Sequence, residues 1–168
     1  MSLEPLLTAP PAIQIHAASA VAAMALGAII LFRRKGTPLH KTLGRIWAGL
    51  MLIVATSAVF INEIRMIGPF SPIHLFVLLT YSGIGYGVWA IRHGRIEAHQ
   101  ATMKSTYLGA LLLTGAFTLL PGRRMHDVLF GSASGWTPSL VAIPLALALT
   151  AYLWWRMMPR RRKVVSAA

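Results

Sequence analysis

The chain contains no cysteine, so it has no thiol for a disulfide, a thiolate metal ligand or a cysteine nucleophile. Acidic residues are nearly as scarce, with 4 Asp and Glu against 16 Lys and Arg. Charged residues make up 12% of the chain, whereas soluble domains carry about 25%. With so few polar residues, we expect neither a Ser–His–Asp triad nor a pair of catalytic carboxylates.

The scarcity of charge leaves five long apolar runs, each close to the roughly 20 residues that cross a bilayer as a helix. The runs without Asp, Glu, Lys or Arg are 5–32, 46–62, 66–91, 105–122 and 128–155. They predict one membrane domain, residues 1–168, with transmembrane helices at about 11–32, 39–62, 72–91, 98–120 and 138–157. We expect Ser71 and Pro72 to open the third helix, and Pro121 and Gly122 to end the fourth.

The basic residues are clustered, because all but Arg65, Arg123 and Arg124 lie within 33–45, 92–104 and 156–163. Basic clusters at alternate ends of successive spans follow the positive-inside rule. They predict an N-terminus outside, a C-terminus in the cytoplasm and, despite the net charge of +12, no nucleic-acid partner. We expect the partner of this charge, including that of the C-terminal tail, to be anionic lipid of the bilayer.

Several residues recur at a nearly constant offset. The pairs 58 residues apart are His16 and His74, Gly27 and Gly85, Arg34 and Arg92, and Gly36 and Gly94. The pairs 59 residues apart are His40 and His99, and Arg45 and Lys104. These offsets predict that residues of about 11–62 and 72–120 are two copies of one helical hairpin, inserted the same way round.

The expected fold is therefore an all-α membrane protein of five transmembrane helices, in which the first four form a pseudo-two-fold four-helix bundle. A parallel repeat places helix 1 diagonal to helix 3, and helix 2 diagonal to helix 4. His16 and His74 would lie near the outer face, and His40 and His99 near the inner face. The fifth helix lies outside the repeat. We expect it to pack on the bundle or to contact another copy or a larger membrane complex.

Paired histidines on diagonal helices predict a haem site. Neutral imidazole is a good axial ligand for haem iron, and helix bundles build cofactor sites from side chains on facing helices. Either pair, His16 with His74 or His40 with His99, could hold one b-type haem. The sequence thus predicts one or two haem b groups in a cytochrome that carries electrons, with a redox protein or a quinone as partner.

Glycines and basic residues near the histidines extend this hypothesis. Gly27 and Gly85 lie three turns past His16 and His74 on almost the same helix face, which leaves room for a flat macrocycle or a closely packed helix. Basic side chains at the inner level could pair with haem propionates or with an anionic electron donor. These residues are Arg34, Lys41, Arg45, Arg92 and Lys104, of which Arg45 and Lys104 follow the inner histidines in both copies.

Other interpretations stay open. Histidine is ordinary at membrane interfaces, where it can cap helix carbonyls or contact lipid phosphate. His126, beside Asp127, could join His16 and His74 in a metal site, although the spacing matches no metal motif. The chain could also be a non-enzymatic accessory subunit of a membrane complex, or a small transporter. A transporter should carry ionisable residues at mid-membrane depth.

Four stretches resemble a bacterial membrane family catalogued as a domain of unknown function. They are KGTPLHKTLGRIW (35–47), FSPIHL (70–75), GRIEAHQATM (94–103) and FTLLPGR (117–123). The resemblance covers nearly all of residues 16–131 and implies a small multi-pass protein of the bacterial cytoplasmic membrane. The layout of hairpins and histidines is also similar to the cytochrome b561 group of di-haem electron carriers. That likeness implies His16, His74, His40 and His99 as axial ligands. It favours the first pair, because His40 and His99 lie close to loops.

Overall fold

The computed structural model describes residues 2–61, 74–131 and 134–157, and all regular elements within these ranges are helical. They are α1 (Glu4–Leu7), α2 (Pro11–Phe32), α3 (Pro38–Val59), α4 (Leu75–Arg92), α5 (Ile96–Tyr107), a π-helical segment (Leu108–Leu113), α6 (Thr114–Phe117), α7 (Arg124–Phe130) and α8 (Thr137–Met157). Among the described residues, α2, α3, α4 and α8 are long and apolar enough to cross a membrane. They confirm the all-α class and correspond to the predicted first, second, third and fifth helices. Ser71, Pro72 and the tail from residue 158 lie outside the described residues.

The start of α3 follows from its local sequence. Gly36 adopts a left-handed φ of 83°, which turns the chain after α2. Thr37 then caps α3 by accepting a hydrogen bond from the backbone N–H of His40, 3.2 Å away. Pro38 occupies the first turn, where its missing N–H costs nothing. The short turn therefore makes α2 and α3 antiparallel neighbours.

The predicted fourth span is a helical run of three consecutive pieces, α5, the π-helical segment and α6. The π-helical segment covers 6 residues and places Leu108 and Leu111 in the interior. Such an insertion rotates the following residues relative to an ideal α-helix. The run ends at Phe117, ahead of Pro121 and the left-handed Gly122 with its φ of 77°.

The helices pack as a ring. α2 packs against α3, α3 against α4, α4 against α5, and α5 with the π-helical segment returns to α2. This order of neighbours places α2 diagonally opposite α4, and α3 diagonally opposite α5. α8 lies outside the ring against the π-helical segment and α6.

Two aromatic side chains meet on α2 at the centre of the bundle. Trp47 donates its indole N–H to the Ala23 carbonyl at 3.0 Å, and Tyr107 donates its hydroxyl to the Met24 carbonyl at 3.1 Å. Each residue is only 5% exposed. A Cβ on Gly27 would lie 2.5 Å from the Tyr107 ring and 2.8 Å from the Trp47 Nε1. Glycine at position 27 therefore allows both rings to pack against the α2 backbone.

α8 is attached to the fourth helical run at two points. Near its start, the buried Ser139 hydroxyl donates to the Leu119 carbonyl at 2.6 Å. At its end, the Lys104 ammonium donates to the Met157 carbonyl at 2.9 Å. Most of the large apolar side chains of α8 are exposed between these points, as expected for a helix surrounded by lipid.

Two short helices that the sequence did not predict pack together at one end of the bundle. α1 packs against α7. The backbone N–H of Ser2 donates to the Val128 carbonyl at 3.3 Å, and the Arg124 guanidinium donates to the Pro5 carbonyl at 3.2 Å. The segment between α6 and α8 is thereby joined to the N-terminal segment.

Candidate functional site

His40 and His99 lie at the basic end of the bundle, defined as the end with the turns at 33–37 and 93–95. His40 occupies the first turn of α3, where the Thr37 cap holds its backbone. The Nδ1 atom of His40 is buried and has no hydrogen-bond partner among the described residues. An unpaired buried polar atom costs about 1–3 kcal/mol, so native proteins keep few of them.

His99 occupies the first turn of α5, again just after a left-handed glycine, Gly94, with a φ of 71°. Its Nδ1–H donates to the Gly87 carbonyl of α4 at 2.8 Å. A carbonyl only accepts, so this bond fixes the tautomer and leaves Nε2 as the lone-pair nitrogen. Donation from Nδ1 to a backbone carbonyl is also the usual way in which proteins orient a metal-binding histidine.

The fold brings these two histidines towards each other. They lie on the diagonal helices α3 and α5, and His40 is within electrostatic range of His99. Both side chains are half-buried. The two imidazoles therefore lie at the same end of the bundle, on diagonal helices.

His16 and His74 lie at the other end of the bundle. His16 donates from Nδ1 to the Val54 carbonyl of α3 at 3.0 Å, with the Ser57 hydroxyl at 3.2 Å. This bond likewise leaves Nε2 as the lone-pair nitrogen. His74 directly precedes α4 and is half-buried.

The glycines matched in the sequence have different surroundings. At Gly27 the space is occupied by the Tyr107 and Trp47 side chains, so close packing takes the room that a macrocycle would need. At Gly85 a Cβ would meet nothing within 4 Å, and the residue is exposed. In α4 it is Gly83 and Gly87 that face a neighbour, α5, through Thr106 and Met103. Gly83 and Gly87 therefore allow α4 and α5 to pack closely.

The two basic site candidates also differ. Arg45 is exposed on α3, one to two turns past His40. The Lys104 ammonium is directed towards the end of α8, where it donates to Met157. The structure therefore gives Lys104 a contact with a helix outside the four-helix ring.

His126 is 1% exposed and belongs to a different environment from His16 and His74. Its Nε2–H donates to the Gly135 carbonyl at 3.1 Å, and its Nδ1 faces the Asp127 carboxylate at 3.4 Å. Its ring also packs edge-on against Phe130. Within the part of the chain that the structure describes, no three His, Asp or Glu side chains are grouped as metal ligands. His126 thus joins α7 to the turn before α8.

Sequence reasoning missed the roles of Trp47 and Tyr107, which determine the centre of the bundle. A polar aromatic residue in a span usually needs a hydrogen-bond partner, and a glycine in a neighbouring span exposes carbonyls. That combination could have indicated a contact with Gly27. It could not have indicated which aromatic residues make the contact.

Comparison with known proteins gives a family and no activity. A family model described as a predicted membrane protein (DUF2306) matches residues 13–154. No curated protein and no solved structure matches the chain.

Proposed function

We propose, for a chain that belongs to the DUF2306 family of predicted membrane proteins, that it binds haem b through histidines on diagonal helices and carries electrons in the membrane. The observation that carries the proposal is the pair His40 and His99 at the basic end. His40 has a buried Nδ1 without a partner among the described residues, and His99 is oriented by its bond to Gly87. Ligation would remove the cost of the unpaired nitrogen.

The same proposal includes five spans and a repeated hairpin. In its favour, the run from α5 to α6 is helical over the length of the other spans and carries no charge from residue 105 onwards. In both hairpins a left-handed glycine precedes a histidine in the first turn of the second helix, Gly36 before His40 and Gly94 before His99. This local similarity supports a common origin of the two hairpins. The different surroundings of Gly27 and Gly85 are then a later divergence of packing.

The chain's own residues would have separate roles. His40 and His99 would hold the haem iron, and the Gly87 carbonyl would hold the tautomer of His99. Arg45 and other basic residues at this end would pair with the propionates. A bound haem would supply one-electron transfer, since its iron changes oxidation state. His16 and His74 remain candidates for a second haem, with the Val54 carbonyl orienting His16.

The test is an absorption spectrum of the purified protein, dithionite-reduced minus oxidised. We expect a Soret and an α band of b-type haem that are lost in His40→Ala and in His99→Ala, or halved if His16 and His74 hold a second haem. The matched control is His93→Ala, because His93 is an exposed histidine at the same end and bonds only locally, to the Trp89 carbonyl. A colourless protein from haem-replete cells, or equal haem content in all three variants, would refute the proposal.

For the membrane and orientation, we propose the bacterial cytoplasmic membrane with the basic end in the cytoplasm, because basic residues concentrate there. The redox partner, a protein or a quinone, would then deliver electrons at that end.

A second candidate function is an accessory subunit of a membrane complex or of a homo-oligomer. The outward surface of α8 favours it, since Leu145, Tyr152 and Trp155 are more than half exposed on the helix outside the ring. Crosslinking from α8 in native membranes distinguishes the two. A stable partner captured by α8 and a haem-free protein would support the accessory subunit.

A further inference from the structure

An apolar groove of about 410 Å³ runs along the outside of the bundle between α2 and α8. Its floor includes Tyr107 and Leu112, from the fourth helical run. One wall extends from Val21 to Phe32 on α2, roughly 16 Å at 1.5 Å per residue. The volume is within the range of about 300–1,000 Å³ that is typical of small-molecule sites. A groove of this shape fits a hydrocarbon chain lying parallel to the helices.

Two lysines lie at the basic end of this groove. Lys35 donates from its ammonium to the carbonyl of Leu31 at 3.4 Å, and Lys104 donates to the carbonyl of Met157 at 2.9 Å. Leu31 and Met157 both line the groove, one on each wall. The ammonium groups of Lys35 and Lys104 are also within electrostatic range of each other. Each wall of the groove therefore has a lysine bonded to it near the basic end.

The arrangement of charge and apolar surface defines the ligand. Two ammonium groups within electrostatic range of each other repel, and an anion placed between them relieves that repulsion. An ammonium has three donors, so a bond to one carbonyl leaves capacity for phosphate oxygens. A zwitterionic lipid or a quinone would gain less, because neither carries a net negative charge to offset the two ammonium groups.

We propose that this groove is a binding site for an anionic phospholipid, with one acyl chain between α2 and α8 and the phosphate on Lys35 and Lys104. The site lies outside the four-helix ring and does not require a bound haem. It assigns Lys104 to lipid headgroups, with Arg45 remaining the candidate for propionates. A lipid in this site would also connect α8 to α2, because the groove otherwise separates the two helices.

The test is titration of the detergent-purified full-length chain with phosphatidylglycerol and, separately, with phosphatidylcholine of the same acyl chains. Binding is read by native mass spectrometry. We expect phosphatidylglycerol to bind more tightly than phosphatidylcholine. Its affinity should fall as the salt concentration is raised. A juxtamembrane lysine is worth about fivefold in affinity for anionic lipid, so Lys35→Met and Lys104→Met together should weaken phosphatidylglycerol binding about 25-fold. The matched control is Lys41→Met, at an exposed lysine of the same end that, unlike Lys35 and Lys104, is not bonded to a groove-lining residue within the described part of the chain. It should have little effect.

The contribution of the groove is tested with a second pair of variants. Ala28 lines the groove, so Ala28→Phe should fill it and weaken binding of both lipids. Ala22→Phe, on the exposed side of α2 away from the groove, should not. Equal affinity for the two lipids, or equal losses in the Lys35/Lys104 and Lys41 variants, would overturn the proposal. Wild-type lipid binding by Ala28→Phe would also overturn it. So would inorganic phosphate that displaces phosphatidylglycerol as well as further phosphatidylglycerol does, or a quinone that binds in the groove independently of both lysines.

Discussion

The packing of Trp47 and Tyr107 on Gly27 makes a sharp prediction for Gly27→Ala. A Cβ at this position would approach the Tyr107 ring to 2.5 Å and the Trp47 Nε1 to 2.8 Å. Both distances are shorter than packed side chains tolerate, so at least one ring must move. Both rings are buried, and each is held by a hydrogen bond to α2. Neither can move without losing that bond or disturbing the core.

The magnitude follows from three contributions. Overpacking of a well-filled core costs about 1–3 kcal/mol. Displacing one ring breaks a buried hydrogen bond, which costs about 1 kcal/mol or somewhat more. Against these, alanine favours a helix over glycine by about 1 kcal/mol. The net expectation is a loss of about 2 kcal/mol in the free energy of unfolding, or about 4–8 °C in Tm for a chain of this size.

The assay is thermal unfolding of the purified protein in detergent, followed by tryptophan fluorescence. Gly85→Ala is the matched control, because it makes the same substitution in a helix where a Cβ would meet nothing within 4 Å. Gly85→Ala should leave Tm unchanged or raise it slightly. The difference between the two variants then isolates the contact with the rings.

A double-mutant cycle identifies the contact. In Trp47→Phe the indole Nε1 is absent, so the further loss caused by Gly27→Ala should be smaller than in the wild type. The reasoning is refuted if Gly27→Ala is as stable as Gly85→Ala. It is also refuted if the cost of Gly27→Ala is the same with tryptophan and with phenylalanine at position 47.

Three further predictions concern other contacts. Tyr107→Phe removes the hydroxyl bonded to the Met24 carbonyl and should lower the free energy of unfolding by about 1 kcal/mol, measured as a Tm loss in the same assay; an unchanged Tm would contradict it. His126→Ala removes the Nε2–H bond to Gly135 and a buried ring, so proteolysis within 123–136 should become faster at a fixed temperature, whereas His93→Ala should leave it unchanged. Fluorescent-protein fusions after residues 94 and 168 should both fluoresce in bacterial cells, since the positive-inside pattern places both sites in the cytoplasm; active alkaline phosphatase at either site would contradict the orientation.

The positions of the membrane helices could be predicted from the sequence because they depend on local properties. The apolar run at 5–32 gives α2 and the run at 128–155 gives α8, since a backbone in lipid must satisfy its own hydrogen bonds. The turn before α3 could also be read locally, because Gly36 and Pro38 restrict their own backbone angles. By contrast, α1 and α7 were missed, since helices of 4 and 7 residues depend on contacts with each other.

The sequence by itself determined the all-helical class, the apolar segments and the set of histidines that could hold a cofactor. Only the tertiary structure decided which side of each helix faces a neighbour. It placed Trp47 and Tyr107 on Gly27, left Gly85 exposed, and directed Lys104 to the end of α8. The physical reason is that transfer into lipid depends on each segment alone, whereas packing depends on the rotation of one helix against another. That rotation depends on residues far apart in the chain, so it cannot be predicted from any single stretch of sequence.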